Sequence, residues 1–592
     1  MNRYPRKQLT LGNINISPLL TGRELGYTES TEELTQIVGK FNYKNALVNL
    51  ARINLFFQRI EDLSDEEILK QAFCSDFWLA TIDSLSRLRG RPIFNRQSTL
   101  HLLTECAHVS DQHSTYTLER RDARNDLAKC YLIANGMLDD GSSGSNTMSG
   151  EELSKEIIAD TITTVDYAIN TSPGYRTKLL MVRSAEFLRR LAETEEACLG
   201  VDANQTFLQA TGLTLQDYQH LVFSIFAVYW NYSLQEIVRQ DPFMDRSLFF
   251  DPNSVPDLAP LYENFLPHTC ISIDELKEKA ENSPSFKNEF RLWRQYPLVQ
   301  ISEDQILCVD FYFLLEKLQT GVFWIMRNQL EKQRRGNGQK IIALWGDIFE
   351  NYAASIIKRG IDAQAPRVEK YIIAPNYDQR QEEECTDVAI CGSDTLVLLE
   401  CKAPILRADT KFSGDFDKLY AELKDKIIEG ERPEKVRGIK QLCNAIQSLF
   451  HADETQRQSV EGIDISRIKK IYPVLVLSDR IFSVPCMNWF LDLEYKRLLA
   501  DIHQMENLDI MPLTVLTIED LESLEPFLSH TLFHVHLDEW MQWQASGNDR
   551  LPFSAYLHSI LRENPPQNTF YDQKFNEIHA DIMTYFTERG VE

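Results

Sequence analysis

Three side chains between residues 387 and 402 have the types and spacing that hydrolytic chemistry needs. Asp387 opens the run Thr386-Asp387-Val388-Ala389-Ile390. After a tight turn at Gly392-Ser393-Asp394, a second run, Leu396-Val397-Leu398-Leu399, ends in Glu400-Cys401-Lys402. Side chains alternate along a strand, so Glu400 and Lys402 share a face while Cys401 points away. The four residues before them are apolar on both faces, as in a central strand. A carboxylate and an amine at the end of such a strand are costly unless they pair or bind something, and the hairpin brings Asp387 alongside. Carboxylate oxygens suit a hard divalent cation such as Mg2+, and an ammonium beside them can orient an attacking water or help to deprotonate it. The blander alternative, a surface hairpin with an ordinary salt bridge, conflicts with the apolar flanks.

Positioning these groups takes a sheet with helices around it. Val368 to Ala374, Cys385 to Cys391 and Thr395 to Cys401 read as strands, preceded by a helix from Ile341 to Lys358. A helical stretch from Asp415 to Phe450, a strand from Lys470 to Leu477 and a helix near Trp489 to Ile502 follow. Helix, three strands, helix, strand describes an α/β sandwich. In the first helix Ile342, Trp345, Phe349, Tyr352 and Ile356 form an apolar stripe, and Asp347 reads as a first-turn charge favoured by the helix dipole.

The arrangement resembles the PD-(D/E)XK nuclease superfamily, the core shared by restriction endonucleases and many repair and defence nucleases. The resemblance covers residues ~340 to 505, with Asp387 at the first acidic position and Glu400-Cys401-Lys402 as the (D/E)XK element. Thr386 stands where the family has proline. The resemblance implies a third acid on the preceding helix, and Glu350 fits, with Gly346 and Ala353 or Ala354 about one turn to either side. It also implies a glutamine near the scissile phosphate, a place taken by Gln441, beside Lys440. The implied metal ligands are Asp387, Glu400, the Cys401 carbonyl and Glu350, holding Mg2+ with Mn2+ as a substitute, while Lys402 positions the nucleophile. Arg407, Lys411, Lys435, Arg437 and Lys440 would track the nucleic-acid backbone, giving affinity and not sequence preference. Among the neighbouring acids, Glu382-Glu383-Glu384 reads as a solvated strand entrance, one member of which could reach the metal.

The remainder of the 592 residues sets the context. With 43% hydrophobic and 25% charged residues the composition is that of a folded soluble chain of two to four units. A net charge of -25 excludes a protein that coats nucleic acid with its whole surface, but not a local basic groove. The N-terminal residues lack the apolar stretch of a secretion signal, and no apolar run approaches the ~20 residues that span a bilayer. Eleven scattered cysteines point to a reducing compartment, hence a cytoplasmic protein with no membrane partner. Glu32 to Ile60, Arg120 to Leu138, Glu152 to Asn170 and Thr177 to Thr194 read as amphipathic helices. Asp139 to Asn146 reads as a linker, and Pro297 to Val309 as two short strands before a helix from Phe311 to Gln333.

The expected fold is therefore α+β and multidomain. A mostly helical region (1–285) leads through a strand-helix connection (286–339) to an α/β/α restriction-endonuclease-like core with a mixed sheet (340–505) and a helical appendix (506–592). Two clusters, His530/His534/His536 and Cys106/His108/His113, lack a second ligand pair at zinc spacing. Arg334 to Lys340 lacks the spacing and preceding strand of a phosphate loop. The expected function is Mg2+-dependent hydrolysis of DNA, with RNA as the other polymer of the same chemistry. A large helical module fused to such a nuclease suggests the effector of a bacterial antiviral defence or restriction system, regulated through that module by a protein partner or by self-association. The alternative is a non-catalytic nucleic-acid-binding or scaffold protein built on an inactive nuclease fold.

Overall fold

Why Asp387 and Glu400 meet is settled by a hairpin whose strands are apolar on both sides. In the computed structural model, β2 (Val388–Cys391) pairs antiparallel with β3 (Thr395–Lys402), after β1 (Lys370–Ile373) has paired with β2 on its other edge. β3 is buried from Thr395 to Cys401, and β4 (Lys470–Leu477) lies parallel to it along its full length. The sheet continues past residue 505: β5 (Asp509–Ile510) and β6 (Thr514–Thr517) both run parallel to β4. Pro473 lies where the outer partner of β4 changes from β5 to β6, and a residue without an N–H suits a break in the ladder. The order β5-β4-β3-β2-β1, with β6 on β4, makes a mixed sheet.

The described residues are 10–11, 14–15, 20–59, 94–139, 150–164, 173–194, 200–231, 243–245, 256–282, 289–365, 368–378, 380–430, 436–500, 508–561 and 568–589. They fall into two compact units. One comprises Met1–Ile16, Ser145–Asp166 and Ala343–Asp572. It buries Ala389, Leu396, Leu398, Leu475 and Leu477 of the sheet with helices αA (Gly150–Ile162), αC (Phe416–Leu423), αD (Ile439–Phe450) and αE (Met487–Leu499). Alternate residues Val388, Ile390, Val397, Leu399, Val474 and Val476 are equally buried and point to the opposite face.

Two boundaries differ from the sequence expectation. αA was expected in the helical region, but its Ile158 and Ile162 join this core; an amphipathic pattern names a buried face, not the partner that buries it. The 506–592 segment is not wholly helical, because β5 and β6 complete the sheet. These strands are two and four residues long, too short for period-two alternation to stand out.

Helix αB (Gly338–Asp362) carries Glu350. It starts earlier than Ile341, so Asp347 lies mid-helix and not in a dipole-favoured first turn. Trp345, Phe349, Tyr352 and Ile356 are buried as the stripe requires, whereas Ile342 is exposed. Helix αF (Ile518–Leu528) anchors αB: Tyr352 Oη donates to Glu522 Oε1 at 2.7 Å, and Arg359 forks onto Glu525 at 2.6 and 3.1 Å. Those bonds fix the rotation of αB, and thereby where Glu350 projects.

The second unit comprises Ser17–Gly144, Tyr167–Ile342 and Gln573–Glu592. It is mostly helical, as expected, but holds a four-stranded sheet, Phe243–Asp245, Gln305–Cys308, Leu298–Gln300 and Cys270–Ser272 in spatial order. The 286–339 segment thus contributes to a core and is not merely a connection. Its Asp310 forms a fully buried two-pronged pair with Arg96, at 2.7 and 2.8 Å. The linker expected at 139–146 lies, beyond Asp139, outside the described residues.

Candidate active site

Asp387, just before β2, is held by backbone. Its Oδ2 accepts from the Cys401 N–H at 2.5 Å, and Ala374 donates its N–H to the Asp387 carbonyl at 2.9 Å. Thr386 ties the strand entrance by donating its hydroxyl to the Leu399 carbonyl at 2.7 Å. Glu400 and Lys402, two residues apart on β3, point to one face.

Four oxygens surround the Lys402 ammonium. Nζ lies 2.6 Å from Glu400 Oε1, 3.5 Å from Asp387 Oδ2 and 3.6 Å from Glu350 Oε1, and donates to the Cys401 carbonyl at 3.0 Å. The Glu400 side chain is 1% exposed, Asp387 11%, Lys402 17% and Glu350 36%. Glu400 Oε1 is buried, with the ammonium as its close contact.

The charges respond to burial. Desolvation, then the Asp387 charge, pushes the Glu400 carboxyl up to about 8, and the same causes push Glu350 to about 7. Desolvation also raises Asp387, against the opposing pull of Lys402 and the Cys401 N–H. For Lys402 burial favours the neutral amine, but Glu400, Asp387 and Glu350 outweigh it and hold the group well above the ordinary lysine range. Lys402 is therefore held as the charged amine among the three acids.

Glu384, the last member of the acidic run, joins the group. It ends the strand Arg380–Glu384. Although part of it reaches solvent, desolvation and then the Asp387 charge push it up to about 7. Its position three residues before Asp387 was the available signal.

Gln441 is placed otherwise. Its Oε1 accepts from the Gly438 N–H at 2.7 Å, capping the start of αD, and among the described residues no hydrogen bond or ion pair joins it to the cluster around Lys402. A residue three positions into a helix reaches back to the cap readily. Gly438 itself has φ +50°, and a Cβ there would lie 2.0 Å from the Ile427 carbonyl oxygen.

Of the expected backbone-tracking residues, Arg407 is 70% exposed, five positions beyond Lys402. Its N–H donates to Glu422 Oε1 at 2.9 Å, and Lys426 binds the same oxygen at 2.6 Å and also the Ile405 carbonyl. The loop leaving β3 is therefore pinned at two points. Lys411 lies over the Phe412 ring, Arg437 is exposed and Lys440 is half-buried. Lys435 lies outside the described residues.

Among the described residues, no three His, Cys, Asp or Glu side chains close on a common point as a metal cage. The three acids stand off around an ammonium instead. Two observations fit a cation to them nonetheless. Glu400 Oε1 is a buried oxygen whose close partner is a cation, 2.6 Å away, and Lys402 Nζ already occupies the centre as a positive stand-in. The donors, carboxylates and one carbonyl, are the hard oxygens that Mg2+ and Mn2+ prefer. Of the histidine clusters, His534 Nδ1 lies 3.2 Å from Glu369 Oε1 and His536 is buried by the Phe527 ring. Among the described residues no helix is long and apolar enough to cross a membrane. Compared with known proteins, the chain matches no family model, no curated protein and no solved structure.

Proposed function

We propose that the unit holding Ala343–Asp572 is a metal-dependent nuclease with a restriction-endonuclease-like core, and that it hydrolyses phosphodiester bonds of DNA. The observation that carries this reading is the convergence of Glu350, Asp387, Glu400 and the Cys401 carbonyl on one cationic centre at the end of a buried strand. Acids in a desolvated cleft with strongly perturbed protonation are a functional signature. Three acids around one ammonium, two of them raised to about 7 and 8, are more than a structural salt bridge needs.

Asp387, Glu400 and the Cys401 carbonyl would hold the divalent ion, with Glu350 binding directly or through water. When bound, the ion supplies Lewis-acid polarisation of phosphate oxygens and acidifies a water. Asp387 is kept in place by the Cys401 amide. Lys402 remains charged and donates hydrogen bonds to the attacking water or a phosphate oxygen. Glu350, the most exposed of the three acids, is suited to accept the water's proton, since a carboxyl near 7 combines availability with basicity. Arg407, on its pinned loop, would contact a flanking phosphate. Gln441 has no part in this scheme.

The rest of the setting belongs to the same proposal: a cytoplasmic protein, regulated through the second unit by a partner protein or self-association, serving antiviral defence or restriction. The test is to incubate the full chain with labelled double-stranded DNA, single-stranded DNA and RNA, in Mg2+, Mn2+ or EDTA, beside Glu400→Gln. Metal-dependent cutting of DNA that Glu400→Gln lacks is expected. Binding without cutting under every condition would instead favour the scaffold reading.

A further inference from the structure

We infer that Lys402 and a divalent cation compete for the same four oxygens, so that the resting site is filled by the protein's own ammonium and metal enters by displacing it. The inference rests on the proposed nuclease reading and adds to it how the site is loaded.

The geometry makes the competition direct. Glu400 Oε1, the Cys401 carbonyl, Asp387 Oδ2 and Glu350 Oε1 lie 2.6, 3.0, 3.5 and 3.6 Å from Lys402 Nζ. Those are the atoms proposed to hold the cation. Mg2+ draws oxygens to about 2.0–2.1 Å, so they must close inward by roughly 0.5–1.5 Å, on a point where an ammonium cannot remain. Like charges at that separation repel strongly in a desolvated site.

The present occupant is also an imperfect one. One positive charge faces three acids, too little to hold all three ionised in a desolvated site. A divalent ion neutralises what the ammonium leaves over. The Lys402 side chain is mostly but not wholly buried, 17% exposed, and rides on a flexible four-carbon stem. Swinging outward carries the amine toward solvent, where the substrate phosphate and attacking water arrive. The same movement that admits metal therefore delivers the donor, and the unloaded enzyme keeps its acids capped.

Calorimetric titration of Mn2+ into the full chain tests this on wild type, Lys402→Met and Lys402→Gln. Removing the competing charge is expected to tighten Mn2+ binding by about 5- to 150-fold, the usual span of coupling between two ligands. Wild type that binds Mn2+ while both variants bind it equally or more weakly overturns the exchange and leaves the nuclease reading standing. No Mn2+ binding by any of the three removes both. Because the variants lose a buried charge and can fold poorly, a second measurement uses wild type alone. Reductive methylation followed by peptide mass mapping should label Lys402 several-fold faster with saturating Mn2+ than with EDTA. Unchanged or slower labelling of Lys402 overturns the exchange.

Discussion

Asp387 and Glu400 face one another across the β2–β3 hairpin, since the register that pairs Val388 with Leu399 sets them opposite one step further on. Like charges directly across a ladder destabilise it. Here the Cys401 N–H and the Lys402 ammonium are both committed to that pair. The strand end that gathers the two acids thus also supplies the donors that hold them.

The pH dependence of stability follows from burial. Glu350 and Glu400 titrate near 7 and 8 in the folded chain, above their ordinary 4.5. Groups raised in this way contribute stability that is whole below about 4.5 and is lost as pH rises through 7 and then 8. Lys402, also raised, keeps its contribution until pH exceeds the ordinary lysine value of 10.5. Metal-free protein should therefore melt lower at pH 8.5 than at pH 5.5, with each kcal/mol worth roughly 2–4 °C in a unit of this size. Added Mg2+ should recover the loss at pH 8.5. Calorimetric scans check this, and a melting point that rises across the window contradicts it.

Asp387 has a structural duty separable from its chemistry. Asp387→Ala leaves the buried Cys401 N–H without its acceptor, whereas Asp387→Asn keeps an oxygen there. The alanine variant should be less stable than the asparagine variant by about 1–3 kcal/mol in urea unfolding. Both should lose metal-dependent cutting. Equal stability of the two would show that the 2.5 Å contact contributes nothing.

Gln441→Ala should cost about 1 kcal/mol, the usual worth of a lost helix cap, and leave the rate of cutting within about twofold of wild type. A large fall in rate at unchanged melting temperature would place Gln441 against substrate after all.

Two glycines should respond oppositely to alanine. A Cβ at Gly438 meets the Ile427 carbonyl at 2.0 Å from a left-handed backbone, so Gly438→Ala should unfold or severely destabilise the domain. At Gly346, mid-helix and one turn before Glu350, a Cβ meets nothing within 4 Å. Gly346→Ala should raise stability by about 0.5–1 kcal/mol. Thermal melts of the two variants decide both.

The β2–β3 hairpin was legible because its signal is local: apolar runs with charged ends, joined by a tight turn, fix strand, partner and face together. The apolar stripe of αB was legible for the same reason, Ile342 apart, whereas Glu350 was reached through the resemblance. Position along the chain hid the rest. αA, at 150–162, reads as an amphipathic helix, but nothing in its pattern says that Ile158 will meet the sheet some 240 residues later. Gln441 misled because a family position was weighed without its neighbour, although Gly438 stands at capping distance. Glu384 was visible as an acid, but nothing in the run Glu382-Glu383-Glu384 marks which member Asp387 perturbs.

The most direct test is supercoiled plasmid incubated with Mg2+ and either wild type or Lys402→Ala. Nicking or linearisation by wild type, abolished by EDTA and absent from the variant, is the expected result. Equal cutting by both proteins would contradict the assignment of the site.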